Sequence, residues 1–243
     1  MRTDFLFRGR ISPDDIVIRH VKSSLKKSVL ISKESGHIWN RYLAEAAKKR
    51  LPLYDAAIYR LERLVKEGGR IELSLSKVSY KFAKTAPAIQ QIDEFDERYY
   101  PMSLSTAGLI KTVDDKYVLG LKDSLKTNRS NIVMVGGVVS ASEMKLKNGQ
   151  DIFNAFTREV REELGVDGRD VADCTLRSII KSNAMKIFLV FSASLRLNSE
   201  DLLKKFKHRD DKELESLKLV SATALKKTLS DLGGYRKHIH TLI

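Results

Sequence analysis

Apolar and polar residues alternate with two different periods along this chain, and the changes of period mark its elements. From His37 to Lys49 the apolar positions Ile38, Tyr42 and Ala46 fall at helical spacing. Two strand-like runs follow, Ala57–Leu64 and Arg70–Val78, and Gly68-Gly69 between them predicts a hairpin. Leu104–Val113 and Lys116–Leu121 also read as strands, joined by a turn at Asp114-Asp115. Asn131–Val139 is apolar but broken by Gly136-Gly137. The strongest helix is Ile152–Leu164, stopped by Gly165. Strands are expected at Leu176–Ile180, Lys186–Leu195 and Leu217–Val220, and a helix at Ala222–Leu232. This order predicts an α/β fold, a mixed sheet sandwiched by helices.

Composition changes that picture little. The chain has 243 residues, 42% of them apolar, enough for a sizeable core. The best internal boundary is Gln90–Pro101, with the acidic run Asp93–Glu97 and a proline. It divides an N-terminal α/β extension, residues 1–98, from a second domain, residues 99–243. No apolar run approaches the roughly 20 residues of a membrane span, and Met1–Arg10 lacks a signal-peptide core. With Cys174 as the single cysteine, a reducing cytoplasm is the expected location.

The formal net charge of +13 attracts phosphates. The excess is spread along the chain, so runs such as Lys48-Lys49-Arg50 and Lys204-Lys205-Phe206-Lys207 read as solvated helix faces rather than a nucleic-acid site. The five histidines are scattered; His238 and His240 alternate like a strand pair but lack a cysteine or carboxylate partner. Neither a phosphate-binding G-x-x-x-x-G-K-[ST] loop nor a G-x-S-x-G nucleophile elbow occurs. Trp39 reads as core, and Tyr99-Tyr100 as packing at a junction rather than a base-stacking platform.

The helix Ile152–Leu164 breaks two local rules at once. Ile152, Phe156, Val160 and Leu164 form its apolar stripe, and Glu159, Glu162 and Glu163 fall together along one flank. Like charges three and four residues apart repel by a few tenths of a kcal/mol. They also sit toward the helix C-terminus, where the macrodipole disfavours negative charge. Such violations tend to mark functional sites. A divalent cation resolves them, since Mg²⁺ takes a few carboxylates and completes its shell with water and phosphate. The competing explanation is a solvated acidic face balanced by Arg158 and Arg161.

Arg158-Glu159-Val160-Arg161-Glu162-Glu163-Leu164-Gly165-Val166 resembles the C-terminal half of the Nudix box. That pattern reads Gly, five residues, Glu, seven residues, Arg-Glu-U-x-Glu-Glu-x-Gly-U, with U aliphatic. Gly136-Gly137 resembles its start. Gly137 and Arg158 are 21 positions apart where the pattern has 14, so seven residues are inserted. Counting from Gly137 puts the first glutamate of the pattern at Glu143; counting back from Arg158 puts Gln150 there. The insertion is placed in Ser140–Asn148, expected to be an exposed loop whose shortening by seven residues leaves the fold intact. Asp55–Leu61 and Leu73–Phe82 are similar to the N-terminal portion of a UDP-glucose-hydrolysing human member of the family, which also has an expanded box.

The resemblance implies a Nudix-type sheet between helices and a pyrophosphohydrolase. It implies Glu159, Glu162 and Glu163 as metal ligands for Mg²⁺, with Mn²⁺ as a second candidate. Arg158 would orient a neighbouring carboxylate, and Glu215, before the strand Leu217–Val220, would be a helper near the metal. The expected reaction cuts the pyrophosphate of a nucleoside diphosphate linked to another group, such as a UDP-sugar, giving a nucleoside monophosphate and a phosphorylated product. Tyr59, Arg60 and Tyr80 are candidates for a wall around the rest of the ligand, against a stronger expectation of hairpin packing. A small-molecule nucleotide is the expected partner, ahead of nucleic acid, with no membrane partner. The rival reading is a catalytically silent module binding nucleotide or RNA.

Overall fold

Gly68 and Gly69 both take positive φ, 53° and 82°, the geometry of a tight hairpin turn. They join strands β3 (Ala57–Glu67) and β4 (Arg70–Ser79), which pair antiparallel as expected. The computed structural model describes residues 3–26, 29–48, 52–89, 97–122, 131–211 and 213–243. The proposed boundary at Gln90–Pro101 falls largely outside these, since residues 90–96 are not described.

Among the described residues one mixed sheet holds ten strands. The remaining strands are β1 (Asp4–Ile11), β2 (Ile16–His20), β5 (Ser103–Lys111), β6 (Tyr117–Leu121), β7 (Ile132–Val133), β8 (Val171–Lys181), β9 (Lys186–Leu195) and β10 (Ser216–Val220). The sheet runs β1-β8-β9-β5-β3-β4-β2, and β6 pairs with β5, β7 and β10. Pairs β5–β9 and β2–β4 are parallel. Residues before 98 therefore supply both ends of the main path, β1 beyond β8 and β2–β4 beyond β5.

Helices cover both faces, so the α/β class with a sheet between helices is observed. The helices are α1 (Val29–Lys48), α2 (Tyr80–Thr85), α3 (Gly149–Leu164), α4 (Ser199–Lys207), α5 (Ala222–Leu232) and α6 (Tyr235–Ile239). Alternation on β5 separates the two cores. Leu104 and Ile110 pack with Ile152, Phe156 and Val160 of α3, whereas Ala107 and Leu109 pack with Leu225 and Leu229 of α5. Phe156 stacks on Phe191 of β9, ring centroids 4.4 Å apart. A Cβ at Gly108 would lie 2.8 Å from the Phe156 ring, so glycine is needed for this close approach.

His238 and His240 do not form a strand pair. His238, next to last in α6, packs edge-on to Phe5, while His240 Nδ1 bonds the Lys237 carbonyl. A helical turn there satisfies local carbonyls that a strand would leave open. Trp39 is buried, with its ring edge-on to Tyr80. Tyr99 carries Lys26 over its ring.

Candidate active site

Helix α3 begins three residues before its apolar stripe because Asn148 caps it. The Asn148 side chain accepts from the Asp151 N–H at 3.2 Å, and the Asp151 carboxylate accepts from the Asn148 N–H at 3.2 Å. The helix ends at Gly165, φ 71°, whose N–H donates to the Arg161 carbonyl. A Cβ at Gly149 would lie 2.1 Å from the Pro13 carbonyl oxygen, so glycine lets the chain before β2 press against the start of α3.

The acidic flank of α3 is not simply a solvated face. The Glu163 residue is only 3% exposed, and the Glu159 side chain 16%. Glu162 is turned outward, with its side chain 52% exposed. Glu163 Oε2 accepts a 2.8 Å hydrogen bond from the Gly136 N–H. Gly136 adopts φ 137°, where a side chain would be strained, and a Cβ there would lie 2.5 Å from the Thr106 carbonyl oxygen. A Cβ at Gly137 would lie 2.2 Å from Glu159 Oε2. Glycine at 136 thus lets the backbone close on β5 while its N–H meets Glu163, and glycine at 137 lets the backbone close on Glu159.

Arg158 links the remaining acids. Its Nη1 is 2.6 Å from Glu143 Oε2, its Nη2 3.2 Å from Glu159 Oε1, and its Nε 3.9 Å from Glu162 Oε1. Glu143 closes a turn in which its N–H donates to Ser140 Oγ. Gln150 is exposed on the first turn of α3 and donates to Asn154. The structure therefore brings Glu143, not Gln150, to the cluster, and the extra chain lies after Glu143.

That extra chain is not a free loop. Leu146 is fully buried in the main core. The Tyr59 hydroxyl donates to the Met144 carbonyl and accepts from the Leu146 N–H, and His20 Nε2 bonds the Leu146 carbonyl at 2.6 Å. Shortening the segment by seven residues would remove this anchor, contrary to the expectation that it is dispensable. Tyr59 itself is buried, Arg60 is buried in an ion pair with Glu62, and Tyr80 packs on Trp39. All three thus have packing roles, Tyr59 against the inserted chain, Arg60 with Glu62 and Tyr80 against α1.

Burial raises the carboxyl pKa of Glu159 to about 7, against the lowering effect of Arg158, with Glu162 and Glu213 adding repulsion. Burial also raises Glu163, to about 8, despite the Gly136 hydrogen bond; Glu213 and Glu159 add repulsion and Lys122 opposes it. Glu213 pairs with Lys122. Glu215, two residues on, donates its N–H to Leu121 and has an exposed side chain. The run Asp210–Glu215 marks this segment as acidic in sequence, but not which member would face α3.

Arg209 holds that segment. Its Nη1 donates to the Phe206 carbonyl at 2.6 Å, its Nη2 donates to the Leu214 carbonyl, and its guanidinium stands 3.4 Å over the Phe206 ring. A cleft of about 400 Å³ opens between Arg158, Arg161 and Glu162 on one side and His208–Asp211 on the other. Carboxylates suit a hard divalent cation. Among the described residues no three His, Cys, Asp or Glu groups converge on one point as they stand. Glu162, half-exposed, is the member free to swing inward. Cys174 is no rival nucleophile, because burial and Asp173 raise its thiol to about 12.

No protein-family model matches the chain, and no curated protein matches it in sequence. Solved structures resemble it in part. Tm1382, a candidate Nudix hydrolase, has a TM-score of 0.43 at 12% identity, covering 78% of this chain and 97% of its own. DR0079 from Deinococcus radiodurans has a TM-score of 0.38 at 15% identity, covering 63% of this chain and 87% of its own. The MutT protein from Methanosarcina mazei has a TM-score of 0.29 at 18% identity, covering 51% of this chain and 80% of its own. TM-scores this low establish no shared function.

Proposed function

We propose that the chain is a Nudix-type hydrolase, dependent on a divalent cation, that cleaves the pyrophosphate bond of a nucleoside diphosphate linked to another group. The observation that carries this is the pair of buried carboxylates, Glu159 and Glu163, held against Gly136 and Gly137 with too little positive charge to balance them. The motif Arg158–Val166 supports the family, and it lies on the helix that carries the pair.

Glu159, Glu162 and Glu163 would hold Mg²⁺ or Mn²⁺, with Glu213 nearby. When bound, such a cation neutralises phosphate charge and makes a water more acidic. Arg158 keeps Glu143 and Glu159 in place by ion pairs on both, and the Gly136 N–H fixes one oxygen of Glu163. Arg161, on the wall of the adjoining cleft, would meet substrate phosphate. We take UDP-sugars as the preferred substrates, with a nucleoside monophosphate and a sugar phosphate as products.

The test is a product assay on UDP-glucose, ADP-ribose and UTP with Mg²⁺ and then Mn²⁺. UMP and glucose 1-phosphate are expected, with a higher kcat/KM for UDP-glucose than for UTP. If UDP-glucose ranks last, the substrate assignment falls. Binding of nucleotide or RNA without turnover under either metal would replace the hydrolase with a silent binding module, to which the net charge of +13 is also suited.

A further inference from the structure

A second cleft, about 490 Å³ in volume, lies where the N-terminal strands meet the inserted chain. Its walls are the end of β2 and the residues after it (His20, Val21 and Ser23), Leu75–Lys77 of β4, and Lys145. Tyr59 forms the floor, and its hydroxyl is already committed to the backbone of Met144 and Leu146. His20 is fixed by its bond to the Leu146 carbonyl. That bond makes Nε2 the donor in the neutral ring and directs the second ring nitrogen elsewhere. The floor and one wall are therefore rigid before any ligand arrives.

The lining carries one sign of charge. Lys77 and Lys145 are exposed and have no carboxylate partner among the described residues, and no acidic side chain lines the cleft. Of the acids on the neighbouring strands, Glu62 pairs with Arg60 and accepts from the Ser76 hydroxyl, and Glu72 pairs with Arg19. A cleft lined by one sign of charge focuses its field and concentrates the opposite ion. Its available donors are the two ammonium groups and the Ser23 hydroxyl, since the Ser76 hydroxyl donates to Glu62 and His20 Nε2 to the Leu146 carbonyl, and no exposed aromatic face offers a base a stacking platform.

The position ties it to the acidic flank. Lys145 follows Glu143 by two residues, at most about 7 Å of chain, and Glu143 pairs with Arg158 beside Glu159. The buried Leu146 holds Lys145 in the wall. We propose that this cleft is an anion subsite, gripping a carboxylate or further phosphate that the ligand carries beyond its pyrophosphate. It deepens the hydrolase reading, and rests on it for the identity of the ligand. Among sugar nucleotides the preferred class is then one whose sugar bears an acid group.

Two measurements test this on the full-length chain. In the first, inorganic phosphate and then glucuronate are titrated into metal-free protein in chelator, followed by backbone amide shifts. Saturable shifts at His20, Ser23, Lys77 and Lys145, lost in the double variant Lys77→Ala/Lys145→Ala, are expected. No shift there, or shifts unchanged in the double variant, overturns the subsite whether or not the protein is a hydrolase. The second compares UDP-glucuronate with UDP-glucose, and UDP-glucose with an analogue bearing a further phosphate on the sugar. The double variant should lose about tenfold or more in kcat/KM for the acidic substrates, the worth of one charge-assisted hydrogen bond, and little for UDP-glucose. Selective loss on UDP-glucuronate points to a carboxylate, and selective loss on the phosphorylated analogue to a phosphate. Equal losses on all substrates, or none, overturn the proposal. Turnover of nothing with the phosphate shifts intact would remove the hydrolase reading and leave the anion subsite standing.

Discussion

Glu163 and Gly136 are joined by a hydrogen bond of 2.8 Å between a buried carboxylate and a backbone N–H, so the helix of the motif and the strand-like segment before it close on one oxygen. An amide oxygen accepts that bond equally well. Glu163→Gln should therefore abolish most metal-dependent turnover while keeping the fold. In chelator it should be neutral near pH 7, where a carboxyl raised to about 8 is already largely uncharged, and more stable by up to about 1–2 kcal/mol above pH 8, where the wild type must bury a charge. Glu162→Gln should lose turnover with the melting temperature in chelator unchanged, its side chain being half-exposed. Wild-type turnover in both variants would sink the metal-ligand assignment; clear destabilisation in chelator would mean that these glutamates hold structural partners.

Glu143 and Gln150 separate the two ways of aligning the interrupted motif. Glu143→Ala removes the 2.6 Å pair with Arg158. The half-saturating Mg²⁺ concentration should rise about tenfold, the usual effect of losing a residue that orients a ligand. Stability should change by less than about 1 kcal/mol, because the pair is partly solvated. Gln150→Ala should alter neither. The reverse result, with Gln150 sensitive and Glu143 silent, would restore the other alignment.

Leu146→Ala should cost about 2–5 kcal/mol, as for other fully buried leucines. Deleting residues 140–146, within the segment Ser140–Asn148, should cost at least as much, since Tyr59 and His20 lose their backbone partners too. A denaturant melt of each variant checks this. A deletion variant as stable as the wild type would return the segment to the status of a dispensable loop.

What could be read from the sequence was what local pattern determines. Apolar residues every fourth position and a stopping glycine define α3, and paired glycines define the β3–β4 hairpin. β1 and β2 escaped that reading because edge strands bury little. In β1 only Ile11 is fully buried, and its partner β8 is remote in sequence. Helix α4 was hidden by its lysines, since only Leu202 and Phe206 are buried. Within the site, the carboxylates of one helix were visible from their spacing. Glu213 was not, because its approach depends on how Arg209 folds the loop.

Arg60 and Glu62 form an ion pair almost sealed from solvent, with side chains 3% and 7% exposed. Burial alone would raise the Glu62 pKa, but hydrogen bonds from Arg60, Ser24 and Ser76 and the charge of Arg60 bring it down from 4.5 to about 2. Because the folded value lies below the unfolded one, the stabilisation is fully present above about 4.5 and is lost as pH falls through about 2. Glu62→Gln should be less stable near neutral pH by about 3 kcal/mol. The gap to the wild type should close as the pH is lowered across that window. A gap constant with pH would show that packing, not charge, is what Glu62 contributes.

Arg209 provides the last test, because it connects the acidic flank of α3 to a loop that carries another acid. Its guanidinium satisfies two carbonyls, Phe206 and Leu214, and lies over the Phe206 ring. It also fills the space beside Gly165, where a Cβ would lie 2.9 Å from Arg209 Cβ. Glu213 sits one residue before the second carbonyl, so the fork of the guanidinium sets the backbone that delivers Glu213 toward Glu159 and Glu163. Lysine keeps the charge but offers no planar fork. Arg209→Ala should cost about 2–4 kcal/mol, through unsatisfied carbonyls and lost ring contact. Both Arg209→Ala and Arg209→Lys should lower kcat more than they raise KM, if the fork is what matters. Recovery of kcat in the lysine variant would transfer the effect to charge near Glu163. Wild-type kcat in both would show that the position of Glu213 has no part in turnover.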